Sequence, residues 1–377
     1  MKKKLKLILV VGARPNFMKI APLVHEISRR NNASGHGACK IDYLLVHTGQ
    51  HYDVKMSDAF FRDLNIPQPD FNLEVGSGSH AVQTAEIMVR FEKVCLQEKP
   101  DWVIVVGDVN STMACTIVAS KLWIKVAHVE AGLRSFDRTM PEEINRLITD
   151  ALADLLLTPS RDADKNLLRE GVSKDKIKLV GNIMIDTLIT NLEKARQLKP
   201  YERFGVKERN YIFVTLHRPS NVDNKASLSV IMKHLVVLSK KMAVIFPMHP
   251  RTKKKLLEFG LHDKVSKAKK MIICDPLGYH DTIGLVDKCS FVLTDSGGLQ
   301  EETTALGIPC LTLRPNTERP VTVTQGTNQL TTLATLEQDL ARLLSGHHKK
   351  GGIPRFWDGH TAERIIQQLS VAGNCIP

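Results

Sequence analysis

Residues 294–320, TDSGGLQEETTALGIPCLTLRPNTERP, decide how the chain is to be read. Three apolar residues, Phe291-Val292-Leu293, run into Asp295-Ser296-Gly297-Gly298, and a helix-compatible segment follows until Gly307 and Pro309 stop it. Strand, tight turn and helix in that order make one βα unit. Glycine has no side chain, so the main-chain N–H groups of Gly297 and Gly298 can approach a ligand closely, and they sit where a helix N-terminus carries partial positive charge. The turn reads as a seat for a diphosphate. The competing reading is a plain βα connection that needs glycine only for its backbone.

Outward from this stretch the same rhythm covers the chain. Apolar runs at 5–11, 41–47, 102–106, 126–129, 155–158 and 177–180 predict strands in the first half, and runs at 211–216, 243–248, 271–274, 291–294 and 310–313 predict them in the second. Helical periodicity falls at 17–30, 80–99, 111–122 and 361–369, and at 141–153, where Pro141 sits in the first turn with Glu142 and Glu143 behind it. Short runs buried on both faces, alternating with helices, predict parallel sheets in doubly wound α/β domains. At 377 residues the chain exceeds the ~100–200 of one domain, so two are expected. The charged helical stretch 192–197, followed by Pro200, is the expected crossing point. Gly76-Ser77-Gly78 lacks the third glycine and the preceding strand of a dinucleotide fingerprint and reads as a loop.

Composition narrows the class. Hydrophobic content of 43% and charged content of 24% are those of an ordinary globular protein. Net charge is +12, most of it after Gly181, where the basic runs 251–255 and 264–270 read as solvated helix faces. Aromatic residues are only 5% of the chain, too few to interleave with these lysines as nucleic-acid binding requires, so an anionic small substrate is the expected partner. Seven cysteines in an odd, scattered set with no C-x-x-C pair argue against a disulfide framework and a zinc site, and read as reduced thiols. The lysines at 2–4 and the apolar run 5–11 are too short and too interrupted for a signal peptide, and no run approaches the roughly 18 apolar residues of a spanning helix. A cytoplasmic protein with no membrane contact is expected.

In open parallel sheets ligands bind beyond the carboxyl ends of the strands. The predicted strands deliver Arg14, then Gln50 and His51, then Asp108 and Asn110, then His128 and Glu130 in the first domain. The second delivers His217 and Arg218, then His249 and Arg251, then Asp295 to Gly298, then Arg314. So many polar groups at one edge predict a cleft between two domains facing each other. Each has a bland alternative: Asp108 as an Asx-turn or helix cap, Glu142 and Glu143 as complements to a helix dipole, His217 and His249 as ordinary satisfied histidines. Glu130 closes an apolar strand, where a carboxylate must be paired or functional.

Gly12-Ala13-Arg14-Pro15-Asn16-Phe17-Met18-Lys19, Val106-Gly107-Asp108, His128-Val129-Glu130-Ala131-Gly132-Leu133-Arg134, Pro141-Glu142-Glu143-Ile144-Asn145-Arg146, Leu216-His217-Arg218-Pro219, Asp295-Ser296-Gly297-Gly298-Leu299-Gln300-Glu301-Glu302 and Thr317-Glu318-Arg319-Pro320 together resemble the UDP-N-acetylglucosamine 2-epimerase family, in the family's order. The resemblance implies a glycosyltransferase-B fold of two Rossmann-like domains, 1–180 with a returning helix in 357–377, and 181–356. It implies a non-hydrolysing epimerase that interconverts UDP-N-acetylglucosamine and UDP-N-acetylmannosamine, with no cofactor or metal, and a homodimer. C2 carries a proton that no neighbouring carbonyl acidifies, so the implied route is loss of UDP to a 2-acetamidoglucal and its re-addition.

By the same matching, Asp108, Glu130 and Glu142 form the acid/base set, with His217 beside them. Arg14, Lys19, His217, Ser296, Gly297 and Gly298 hold the diphosphate, Glu302 holds the ribose, and Arg319 lies on the phosphate or sugar side. Two stretches depart from the family pattern: His280-Asp281-Thr282 in the expected uracil pocket, and the loop Gln50-His51-Tyr52-Asp53, which in relatives binds an activating second nucleotide sugar. A hydrolysing epimerase would share the elimination step. A glycosyltransferase would share the fold without needing three acidic residues in the first domain, and a silent UDP-sugar binder would have no use for them.

Overall fold

The computed structural model describes residues 4–33, 39–50 and 64–375, Arg14 by its backbone alone. The loop residues His51, Tyr52 and Asp53 lie outside the described residues. The chain forms two compact units, Met1–Thr187 with Arg355–Pro377, and Leu188–Pro354, and the boundary falls inside the helix Ile183–Gln197.

The first unit is built on β1 (Lys4–Val11), β2 (Lys40–His47), β3 (Phe71–Asn72), β4 (Trp102–Val106), β5 (Lys125–Val129), β6 (Leu155–Thr158) and β7 (Ile177–Leu179). Among the described residues these pair in the order 3-2-1-4-5-6-7, every neighbour parallel. All five residues of β4 are buried, as a strand covered by helices on both faces requires. The helix His80–Glu98 turns Ile87, Phe91, Val94 and Cys95 inward at helical spacing, and they pack with Ile8, Val10, Val103 and Val105 of the central strands. Ser79 opens this helix, its hydroxyl accepting from Val82 N, and a left-handed Lys99 closes it before Pro100.

The last helix, Thr361–Ala372, belongs to the same unit. Ile365, Ile366 and Leu369 are fully buried, the Ala362 N–H donates to Asp186 Oδ2 at 2.7 Å, and Trp357 Nε1 donates to the Pro159 carbonyl at 3.0 Å. Gly181, at φ +99°, lies so close under the Phe356 carbonyl that no side chain would fit there.

The second unit carries β8 (Tyr211–Thr215), β9 (Ala243–Pro247), β10 (Met271–Cys274), β11 (Phe291–Thr294), β12 (Cys310–Leu313) and β13 (Asn328–Thr331), parallel and ordered 10-9-8-11-12-13. Strand β13, Asn-Gln-Leu-Thr, has no apolar run to announce it. Its end residues Asn328 and Thr331 are buried, and Asn328 can be because its polar groups are paired: Asn328 Nδ2 donates to Gln300 Oε1 and Thr322 Oγ1, both at 3.1 Å, and Asn328 Oδ1 accepts from Thr312 Oγ1 at 2.7 Å. Strand order reverses between β1 and β4 in one unit and between β8 and β11 in the other. The loops after these four strands, with the helices they lead into, carry most of the candidate residues.

One expectation is corrected. Cys39 and Cys375 form a disulfide with a Cα–Cα separation of 5.3 Å, so this pair is not a pair of reduced thiols. The partners stand 336 residues apart, and local spacing rules are blind to a pair that the returning helix brings together. Cys95, Cys115, Cys274, Cys289 and Cys310 are free thiols. Among the described residues no helix is long and apolar enough to cross a membrane.

Replacing Cys375 by serine should lower unfolding stability by about 2–4 kcal/mol under oxidising conditions. Urea melts of wild type and variant should then converge in excess reductant; coincident melts without reductant would show that the cross-link does not support the fold.

Candidate active site

In the first unit, β4 and β5 end side by side on Gly107-Asp108 and Glu130. Gly107 adopts φ +68°, and a Cβ there would stand 2.7 Å from Lys19 Nζ, so the absent side chain is what admits the lysine. Lys19, near the start of the helix Arg14–Ala33, pairs its ammonium with Glu130 Oε2, and both residues are buried, at 6% and 4% exposure. Glu130 holds φ +72°, a left-handed conformation that costs a non-glycine residue ~1–3 kcal/mol and marks a place worth testing for function. Its other oxygen, Oε1, is buried without a hydrogen-bond partner among the described residues.

Asp108 is partly open, its side chain 30% exposed, and its Oδ2 accepts from Arg146 Nη1. Its main-chain carbonyl accepts from Asn145 Nδ2 at 2.9 Å. Glu142 and Glu143, adjacent at the start of the helix Pro141–Leu152, have different environments. Glu142 is half-buried and, among the described residues, unpaired. Glu143 is buried, and its oxygens accept from Ser135 N (3.0 Å), Ser135 Oγ (3.0 Å), Phe136 N (2.9 Å) and Arg146. Burial alone would raise the Glu143 pKa, but these donors and the guanidinium hold it below the usual carboxylate range.

Beneath Asp108, His128 is fully buried between Asp150 Oδ1 (2.6 Å) and the Gly107 carbonyl (2.8 Å). Asp150 is also paired with Arg134 Nη1 at 2.7 Å and accepts from Gly132 N at 3.0 Å. Burial pushes the Asp150 carboxyl up, and His128 and Arg134 pull it below its ordinary value. His128, expected at a ligand edge, is thus a prop for the Gly107-Asp108 peptide.

In the second unit, Asp295 is fully buried and does not point outward as a ligand group. Its carboxylate accepts from His217 N (3.0 Å), Arg218 N (2.9 Å) and Asn221 Nδ2 (3.1 Å), and it pairs with His217 Nδ1 at 3.0 Å. Burial opposes its charge, and His217, Arg218 and Asn221 overcome that and lower its pKa. His217 and His249 stand with ring centroids 5.5 Å apart.

Ser296 is the N-cap of the helix Gly297–Leu306. The two glycines differ. A Cβ on Gly297 would stand 2.8 Å from both Arg319 Nη1 and Glu318 Oε1, whereas one on Gly298 would meet nothing within 4 Å. Gly297 makes room for the arginine, and Gly298 leaves open space over the helix start. Arg319 pairs with Glu301 at 2.7 Å and with Glu318, and Glu318 pairs also with Arg314 at 2.8 Å. Burial would raise the Glu318 pKa, but the two guanidiniums hold it far below the carboxylate range.

Glu302 behaves oppositely: burial, then the neighbouring Glu301 charge, push its pKa up to about 8, and the Tyr279 hydroxyl lies beside it without meeting hydrogen-bond geometry. His280 and Asp281, the departures in the expected uracil pocket, are used in packing, through Asn191 Oδ1 at 2.9 Å and through Arg203.

The sequence reading missed Arg146, Glu143 and Glu301 as working parts and read Asp295 as part of the ligand seat. The available signal for Arg146 was its place three residues after Glu143 on one helical face. Among the described residues no group of three His, Cys, Asp or Glu side chains could hold a metal ion.

Two parallel sheets with interleaved helices, each reversing its strand order at the candidate residues, define a glycosyltransferase-B-like α/β protein. The family model for UDP-N-acetylglucosamine 2-epimerase matches residues 35–370. UDP-N-acetylglucosamine 2-epimerase of Methanocaldococcus jannaschii is 43% identical over 97% of this chain and 99% of its own length. A crystal structure of that organism's enzyme in complex with UDP-GlcNAc and UDP superposes with a TM-score of 0.87 at 43% identity, covering 97% of this chain and all of the other. A Pseudomonas aeruginosa relative, UDP-2,3-diacetamido-2,3-dideoxy-D-glucuronate 2-epimerase, is 37% identical over 97% of this chain and 99% of its own. The chain belongs to the UDP-N-acetylglucosamine 2-epimerase family.

A folded pKa near 8 for Glu302, against 4.5 for a free glutamate, means that its neutral form stabilises the fold fully below the free value and that this contribution is lost as pH climbs through 8. Urea unfolding at pH 6 and pH 9 should therefore show wild type losing stability relative to Glu302→Gln at the higher pH; parallel losses would contradict a neutral, buried Glu302.

Proposed function

We propose that this chain interconverts UDP-N-acetylglucosamine and UDP-N-acetylmannosamine without net hydrolysis. A first-unit carboxylate takes the C2 proton, the C2–H electrons form a C1=C2 double bond, and the C1–O bond breaks with its electrons on the departing UDP. The resulting 2-acetamidoglucal is protonated at C2 from the opposite face as UDP adds back to C1. One observation carries the reading: Asp108 and Glu130 close neighbouring parallel strands, each with one oxygen engaged by a buried cation and the other unpaired among the described residues. Proton transfer on two faces of one carbon asks for two such groups.

In this reading Glu142 completes the acid/base set. Lys19, which gives one of its three N–H donors to Glu130, retains donors for the leaving diphosphate. His217, Arg14, Arg319, Ser296 and the N–H groups of Gly297 and Gly298 receive that diphosphate. Glu302 accepts from the ribose hydroxyls, a role open to its neutral form through the carbonyl oxygen. The family resemblance supports a homodimer, which sedimentation equilibrium would test directly.

Proton NMR of the reaction in heavy water tests the chemistry. Deuterium at C2 with UDP-N-acetylmannosamine accumulating is expected; free N-acetylmannosamine with UDP would instead mark a hydrolase, and no exchange would overturn the elimination. The diacetamido glucuronate nucleotide of the Pseudomonas relative's name serves as comparison substrate, and faster turnover on it would move the substrate assignment. Glu130→Gln and Asp108→Asn should each lower turnover by ~10²- to 10⁴-fold with UDP affinity nearly intact. Wild-type rates in either variant would remove that residue from the mechanism.

A further inference from the structure

We propose that Arg146 is a positioning residue for this reaction: its buried guanidinium spans Glu143 and Asp108 and fixes the direction in which Asp108 presents its remaining oxygen to C2. The inference rests on the epimerase reading above. A guanidinium offers five N–H donors in a rigid planar fork. Here Nε donates to Glu143 Oε2 at 3.0 Å, Nη2 reaches the same oxygen and the Ser135 hydroxyl at 3.3 Å, and Nη1 reaches Asp108 Oδ2. The arginine is only 2% exposed, so it does not bind an outside ligand; its charge is spent on two carboxylates of its own unit.

The partition between those carboxylates carries the argument. Every oxygen of Glu143 is occupied by a main-chain N–H of Ser135 or Phe136, and the residue is 2% exposed, so it anchors and does not react. Asp108 is the opposite: 30% exposed, held on Oδ2 alone, with Oδ1 unpaired among the described residues.

A short carboxylate side chain at a strand end would otherwise rotate freely about χ1 and χ2. Here its position is over-determined. Asn145, the residue before the arginine, grips the Asp108 carbonyl at 2.9 Å, and His128 Nε2 grips the preceding Gly107 carbonyl at 2.8 Å. Successive residues of one helix thus hold the backbone and the side chain of the same aspartate. A lysine could keep the charge but, as a point donor, could not span both partners.

Arg146→Lys is the decisive variant, read by steady-state kinetics, C2 deuterium incorporation, UDP calorimetry and thermal melting. It should keep UDP affinity and KM within about threefold of wild type and lose ~10²-fold in kcat, as a reacting group displaced by about 1 Å does. Deuterium incorporation should fall in parallel. Because the arginine acts through Asp108, the double variant Asp108→Asn/Arg146→Lys should be no slower than Asp108→Asn alone.

If Arg146→Lys melts before assay temperature, Glu143→Gln, which loosens the arginine's anchor while keeping its shape, should show the same kcat-only loss at about tenfold. Turnover within about threefold of wild type in folded variants, or losses that multiply in the double variant, would overturn the role. A wild type that leaves C2 unexchanged overturns the epimerase reading and the role with it, whereas an active wild type with an unaffected Arg146→Lys overturns the role alone.

Discussion

Where a parallel sheet reverses its strand order, the loops after the two central strands diverge, and beyond the last main-chain bond, from Asp295 N to the Thr215 carbonyl at 3.3 Å in the second unit, side chains hold them together. This constraint governs both units. In the second, the Asp295 carboxylate at the end of β11 accepts two main-chain N–H groups and two side-chain contacts from the loop after β8, and His217 is placed by that one buried anion. In the first, Asn16 does the corresponding work: its oxygen accepts from Gly12 N and Ala13 N at 3.1 and 2.9 Å, and its nitrogen donates to the Val106 carbonyl at 3.0 Å, tying the end of β1 to the end of β4. Removing either bridge would leave buried donors without acceptors, a loss of ~1–3 kcal/mol for each unmet group.

The cations expected to meet a diphosphate are already engaged by carboxylates. Lys19 lies on Glu130, and Arg319 lies between Glu301 and Glu318. Buried ion pairs of this kind contribute little net stability when complete, yet stripping one partner costs ~3–5 kcal/mol because the other is left uncompensated. Charge is therefore stored in place with its geometry set before any anion arrives. In the reading proposed above, a ligand phosphate would meet donors already oriented by their carboxylate partners, so less of its binding energy would go into ordering side chains.

Strands were legible wherever the chain made them from apolar runs, because burial on both faces of a parallel sheet leaves a signature of several residues; β4 and β11 are of that kind. Strand β13 was not, since its burial depends on Asn328 finding Gln300, Thr322 and Thr312, partners distant or unmarked in sequence. The same limit separates Glu142 from Glu143: the pair is adjacent and chemically identical, and only the Ser135-Phe136 loop and Arg146 make one an anchor. Cys39 and Cys375 carried no local pattern at all. Residue type and strand position put Asp108 and Glu130 at a ligand edge, and the family resemblance named them, with Glu142, as acids and bases, but the assignment of supports to them lives in tertiary contacts that periodicity cannot reach.

Because the first unit is assembled from both ends of the chain, the second is an insertion within it, and the Cys39–Cys375 bond closes a covalent ring around that insertion. Synthesis from the N-terminus completes Leu188–Pro354 while the first unit still lacks the helix Thr361–Ala372. The inserted unit can thus fold first, and the host unit seals last. Once the bond has formed, a single cut anywhere in the inserted unit leaves both flanking pieces joined, so the molecule tolerates a nick that would otherwise divide it in two.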